Sequence, residues 1–325
     1  MKKRPNSTRR SFCQAAVVAA TSSLLGWKKA ATGSVAANEK TPSLLNGSRS
    51  GNLIAVSTYS FWHFSGEPSP VDICIRKAAE MGFDAVELLE VQMKNKEPAY
   101  LQSLKRETFL AGISLCSLST HQSFVKPDPA ERQENIEKTK RSIELANSLG
   151  IPSIRVNTGR WGTAGSFDEL MANKGIEPIL NGYTEDEAFG WVIDSFEKLL
   201  PIAEKNGVML ALENHWGLGR TADGVLRIVN AIDSPWMGVT LDTGNFLENA
   251  WKQYEQMLPQ TTFIQAKTYQ GGGVWYSLDI DYQRFGDLLR KYHYRGFVSL
   301  EFEGNEDPAI AVPQSLEILR KNCYF

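Results

Sequence analysis

Cysteine and histidine are both scarce, with four of each in 325 residues, and the formal charge is nearly balanced at −2. That balance excludes the strong electrostatic attraction that nucleic acid or an anionic membrane surface would need, so neither is expected as a partner. Cys13, Cys74, Cys116 and Cys323 are too widely spaced to give a disulfide framework. Cys116 falls in the apolar run Ile113 to Ser119, where a core thiol is expected rather than a nucleophile. No lipobox-like segment precedes Cys13, and the weakly apolar stretch Ala15 to Trp27 is too short to span a bilayer.

The amino terminus has its own character. Arg9-Arg10 precede that apolar stretch, and small residues around Val35-Ala36-Ala37 follow it. A basic region, a short apolar region and an A-x-A-like end describe an export signal of the twin-arginine type. The chain therefore reads as a signal over 1–37, a linker over 38–51 and a folded domain over 52–325. The mature protein is expected in the periplasm or otherwise exported. A disordered basic tail is the alternative reading of the same residues.

With 42% hydrophobic residues, eight Trp and fifteen Phe, the remainder can bury a large core. Eight short apolar runs are candidate strands: Leu53 to Thr58, Ala85 to Leu89, Ile113 to Ser119, Ser153 to Asn157, Val208 to Glu213, Met237 to Asp242, Phe263 to Ala266 and Phe297 to Glu301. Amphipathic patterns fill the gaps, clearest over Ala130 to Leu149. Glycines at 82, 112, 150, 207 and 296 stand where helices should end. Strands alternating with helices at this rhythm predict an α/β fold, a single (β/α)8 TIM barrel.

Four of the runs end on oxygen-bearing side chains, at Glu213, Asp242, Gln265 and Glu301. The steps between them are 29, 23 and 36 residues, each long enough for one helix and a return. In such barrels the C-terminal strand ends carry the chemistry, so three carboxylates and one amide should meet at one mouth. Oxygen donors suit one divalent ion such as Mg²⁺ or Mn²⁺, and a cation would offset the cost of burying those carboxylates. Taken singly, each acidic residue could equally be a helix N-cap.

Other strand ends should line the same mouth, among them Glu87, His121 and Arg155, although each alone could be a structural hydrogen-bonding group. Two connections are long. The segment 160–185 suits a lid or an oligomer interface, which leaves a homo-oligomer open. The segment 268–279 carries three successive glycines from Gly271 as a hinge, with Trp275 and Tyr276 available to stack on a sugar or ring.

Several segments together resemble the xylose-isomerase-like TIM barrels: Ala211 to His215, Leu241 to Asn245, Gln265-Ala266-Lys267, Tyr294 to Glu301, Gly82 to Glu87 and Ser119 to His121. That superfamily includes sugar isomerases and epimerases, inosose dehydratase, dehydroshikimate dehydratase and endonuclease IV. The resemblance implies that Glu213, Asp242, Gln265 and Glu301 hold one divalent metal (Mn, Mg, Co or Zn), with Glu213 and Glu301 also acting as acid and base. It further implies that His215 and Lys267 contact a small carbohydrate-like substrate. Two departures stand out. Gln265 occupies a position that is commonly His in the epimerases, and an amide there instead resembles the dehydroshikimate dehydratases; Asn245 replaces a His that many members carry three residues after the metal aspartate. With only four histidines, a trinuclear zinc site of the endonuclease IV kind is disfavoured.

The expected chemistry is removal of a proton beside the carbonyl of a keto-sugar or polyol-derived ketone, giving isomerisation or epimerisation. Loss of a β-substituent would make the enzyme a lyase or dehydratase instead. A non-catalytic carbohydrate-binding barrel is the remaining alternative.

Overall fold

A computed structural model describes residues 51–325; the signal reading and all but the last residue of the linker lie outside the described residues. The strands are β1 (Leu53–Ser57), β2 (Ala85–Leu89), β3 (Ser114–Ser119), β4 (Ser153–Val156), β5 (Met209–Glu213), β6 (Met237–Asp242), β7 (Thr261–Thr268) and β8 (Phe297–Phe302). All neighbouring pairs are parallel. β8 pairs with β1 from Leu53 opposite Phe297 to Val56 opposite Leu300, which closes the barrel.

The surrounding helices are α1 (Val71–Met81), α2 (Pro98–Ala111), α3 (Pro129–Leu149), α4 (Phe167–Ala172), α5 (Glu185–Asn206), α6 (Ala222–Ala231), α7 (Ala250–Met257), α8 (Tyr282–Lys291) and α9 (Pro308–Cys323). The fold class expected from the strand rhythm is the one observed. No described helix is long and apolar enough to cross a membrane.

Strand side chains divide between two environments because successive residues point to opposite faces. Ile54 and Val56, Val86 and Leu88, Leu210 and Leu212, Val239 and Leu241, and Val298 and Leu300 join the large core beneath the helices. The alternate positions are small or polar: Ala55, Ala85, Glu87, Ala211, Glu213, Thr240, Asp242, Gln265, Ser299 and Glu301, all buried. Near the N-terminal end of the barrel, Ala55, Ala85, Cys116 and Phe263 form a separate apolar cluster, with Phe297 packed against it. Cys116 is thus a core residue.

Two expectations about local structure need correction. β7 runs four residues beyond the expected span, two at each end, because Lys267 and Thr268 continue the pairing opposite Glu301 and Phe302. Their polarity hides the strand in the sequence. Gly296 does not cap α8; His293 takes the left-handed conformation there, at φ 53°. Gly296 is instead required by crowding, since a Cβ would lie 2.3 Å from the Tyr294 hydroxyl. The glycines at 82, 112, 150 and 207 do end α1, α2, α3 and α5.

The 160–185 connection is built rather than loose. Arg160 donates to Glu177 at 2.7 Å, and the other Glu177 oxygen accepts from the Gly162 amide at 2.8 Å. Gly217 brings the β5 connection against it so closely that a Cβ would lie 2.1 Å from the Gly159 carbonyl oxygen. At φ 89° and without a side chain, only glycine allows that approach.

Candidate active site at the barrel mouth

Glu213 ends β5, where its carboxylate is gripped on one side. Asn157 donates to Glu213 Oε2 at 2.6 Å, and Arg155 Nη1 lies 3.1 Å from the same oxygen. Asn245 donates to Oε1 at 3.2 Å. Arg155 and Asn157 are two apart on β4 and its extension, so both face inward, and Arg155 also donates to Asn157 Oδ1 at 2.8 Å.

Across the barrel, Lys267 is surrounded by acids. Its Nζ lies 3.3 Å from Glu303, 3.5 Å from Glu301 and 3.7 Å from Asp242, and it donates to Asn245 Oδ1 at 3.2 Å. Burial works to lower the Lys267 pKa, but Asp242, Glu303, Tyr276 and Glu301 together hold it well above the ordinary lysine value. Lys267 is therefore a fixed positive charge and no base. Gly244 makes room for it, since a Cβ there would lie 2.3 Å from the lysine stem.

The last turn of β6 is held by a side chain that mimics a strand partner. Asn214 Oδ1 accepts from the Asp242 amide at 2.7 Å while its Nδ2 donates to the Asp242 carbonyl at 2.9 Å. Asp242 Oδ1 accepts from the Gly244 amide at 2.6 Å. Burial raises the Asp242 carboxyl well above the usual range, against the opposing pull of Lys267.

Glu87, expected among the substrate contacts, is fully buried and its carboxylate is taken up by the protein. Its Oε1 accepts from Ser119 at 2.5 Å and from Gln265 Nε2 at 2.8 Å, and its Oε2 accepts from Ser299 at 2.8 Å. Asn245 is 1% exposed and bridges Glu213 to Lys267. Both residues support the site from beneath; neither lines the cavity.

Above these groups opens a cavity of about 380 Å³ whose walls include Arg155, Glu213, His215, His121, Lys267, Trp275 and Glu301. Among the lining residues that escaped the sequence reading are Phe64, Phe167, Trp216 and Glu303. Glu303 follows Glu301 by two and so shares its face, a spacing that could have signalled it; Tyr59 donates to Glu303 at 3.1 Å. Phe167 comes from α4.

His121 and His215 are both neutral. Burial, and then the Arg155 charge, depresses His121 to about 2 and drives His215 well below its ordinary value. His121 Nδ1 is buried and has no hydrogen-bond partner in the protein. An unfolded histidine binds its proton near pH 6.5, so between that pH and about 2 the unfolded state holds the extra proton, and stability falls as pH falls. Replacing His121 with glutamine should flatten that fall. Urea melts at pH 7.5, 6 and 5 should show the variant gaining on the wild type by up to about 1.4 kcal/mol per unit below 6.5.

Glu213 and Asp242 end β5 and β6 as expected, whereas β8 runs one residue past Glu301 and β7 three residues past Gln265. Among the described residues, no three His, Cys, Asp or Glu side chains stand close enough to hold a metal by themselves. The donor set nevertheless fits a hard cation by its chemistry. Asp242 Oδ2 and Gln265 Oε1 are buried acceptors with no hydrogen-bond partner, and acceptors of that kind are what a cation would satisfy.

The description "Xylose isomerase-like TIM barrel" belongs to a family model that matches residues 75–322. An inosose dehydratase from Glaesserella parasuis serovar 5 (strain SH0165) is 22% identical over 281 residues, covering 76% of this chain and 87% of that protein. Among solved structures, the E. coli 3-keto-D-glucoside 4-epimerase YcjR superposes with a TM-score of 0.66 at 19% identity, over 83% of this chain and 99% of its own. D-psicose 3-epimerase from Clostridium cellulolyticum H10 gives 0.66 at 17% identity, over 84% and 100%. At those identities the structural likeness speaks for the fold. The match over residues 75–322 places the chain in the xylose-isomerase-like TIM-barrel family.

Proposed function

We propose that the protein is a divalent-metal-dependent isomerase or epimerase that takes a proton from the carbon beside the carbonyl of a keto-sugar or polyol-derived ketone. The observation that carries this reading is the pair Glu213 and Glu301, on strands three apart in the barrel, opening into one cavity above two orphaned oxygen acceptors. A divalent ion held by Glu213, Asp242, Gln265 and Glu301 would supply Lewis-acid chemistry, polarising the carbonyl and stabilising negative charge on its oxygen.

The chain's own groups account for the rest. One of the two glutamates accepts the carbon-bound proton, and the other can deliver a proton to the opposite face or to the adjacent carbon. Arg155, Asn157 and Asn245 fix Glu213 for this role. Lys267 supplies fixed positive charge near the carbonyl end, and neutral His121 and His215 can bond sugar hydroxyls. The aromatic rings above exclude water.

A dehydratase is the second reading. Glu303 adds a third carboxyl to the cavity, hydrogen-bonded to Tyr59, where it could protonate a departing hydroxyl. Its support includes the likeness to inosose dehydratase. Export of the mature protein, if Arg9 and Arg10 act as read, favours free or glycosidic sugars over sugar phosphates.

The test is deuterium incorporation from D₂O into a panel of keto-sugars and inososes, with elemental analysis of the same protein. One divalent ion per chain and exchange at a single carbon, abolished by chelator, are expected. Exchange that survives chelator sinks the metal, and no exchange with any ketone sinks the reaction class.

A further inference from the structure

The cavity floor is polar, but its upper wall is aromatic. Phe64 and Trp275 are 47% and 50% exposed while lining the same cavity as Glu213 and Glu301. Large apolar faces left open at a pocket mouth gain free energy when a ligand covers them. These rings come from different connections. Phe64 follows β1, Phe167 begins α4, Trp216 follows β5, and Trp275 follows β7.

The rings meet in sequence around the mouth. Phe64 lies 5.2 Å from Tyr59, whose hydroxyl accepts from Trp275 Nε1 at 3.2 Å. Trp275 lies 5.6 Å from Phe167, and Phe167 lies 6.4 Å from Trp216. Because the one polar atom of Trp275 is bonded within the protein, what remains open is ring carbon. His63 and Phe64 are consecutive non-glycine residues with left-handed backbone, at φ 54° and 56°. Such a pair persists only where the surroundings enforce it, and here it accompanies an aromatic ring held open at the mouth. The cavity volume falls in the range that encloses ligands larger than one small ring.

We propose that this collar is a subsite for the second ring of a glycoside. The keto-sugar ring occupies the polar floor, and its aglycone stacks on Phe64 and Trp275. The aglycone is a ring with an apolar face, either a hexose presenting its C–H bonds or an aryl group. The inference rests on the proposed action on a keto-sugar, and it narrows the substrate class from free ketoses to keto-glycosides.

The experiment compares four ligands: 3-keto-glucose and its methyl, phenyl and glucosyl glycosides. Dissociation constants come from calorimetry on the Mn²⁺-supplemented full-length mature protein, and deuterium exchange is measured in parallel. The two-ring ligands should bind about tenfold or more tightly than the methyl glycoside, the scale of one well-placed aromatic contact. That ratio should fall toward one in Trp275→Ala and in Phe64→Asn, the latter chosen because asparagine tolerates left-handed backbone. A preference confined to the phenyl glycoside assigns an aryl aglycone, and one shared with the glucosyl glycoside assigns a sugar. Equal binding of all four overturns the subsite, and intact exchange then leaves the proposed reaction standing. Ring-dependent binding without any exchange keeps the subsite and overturns the reaction.

Discussion

Glutamine in place of Glu213 or Glu301 should lower turnover by about 10²- to 10⁴-fold, the usual contribution of a positioned acid or base. The substitution keeps size and one oxygen donor, so metal content should survive while proton transfer fails. Asp242→Asn should behave differently. Asp242 is fully buried and does not line the cavity, so in the proposed reading it would hold the cation, and the variant should lose metal first and activity as a consequence. Metal titrations followed by deuterium exchange at saturating metal separate the two cases. Restoration of both glutamine variants to wild-type turnover by excess metal would show that Glu213 and Glu301 are ligands and nothing more.

The second large effect concerns Glu87. A carboxylate acceptor beneath Gln265 forces the amide to present its NH₂ group downward, which leaves Oε1 as the atom facing the site. Glu87→Gln removes that constraint, because a second amide lets Gln265 turn over and present its NH₂ group to the cation. Metal affinity should then weaken by about 10- to 100-fold, as for other residues that orient a ligand, with the fold kept. Glu87→Leu should do more harm. It strands the donors of Ser119, Gln265 and Ser299, each costing about 1–3 kcal/mol when left unpaired, so a loss of about 3 kcal/mol or more is expected in urea melts. Unchanged Mn²⁺ affinity in Glu87→Gln, measured by electron paramagnetic resonance, would show that Glu87 does not orient Gln265.

Much of this architecture was legible because the barrel writes its geometry into the chain. Runs such as Met237 to Asp242 are apolar on one parity and end on a donor, and α1, α2, α3 and α5 close with glycine. Glu213, Asp242, Gln265 and Glu301 were picked out from the ends of apolar runs, although β7 and β8 continue past the last two. What escaped notice lay one pleat further on or in the connections. Glu303 repeats the inward parity of Glu301, so alternation by two would have extended that strand's functional face. Phe64 and Phe167 lie outside any periodic pattern, and only the folded connections bring them to the mouth. Glu87 was read as a substrate group because its position on β2 is right; its depth depends on Ser119, Gln265 and Ser299, which sequence spacing does not bring together.

The small apolar cluster of Ala55, Ala85, Cys116 and Phe263 gives the barrel a sealed base. Whatever enters between Phe64 and Trp275 must leave by the same door. Affinity gained at that doorway by added stacking would therefore be felt again on departure, so a tighter collar should lengthen product residence. An engineer seeking speed would loosen the aromatic rim and leave the floor alone.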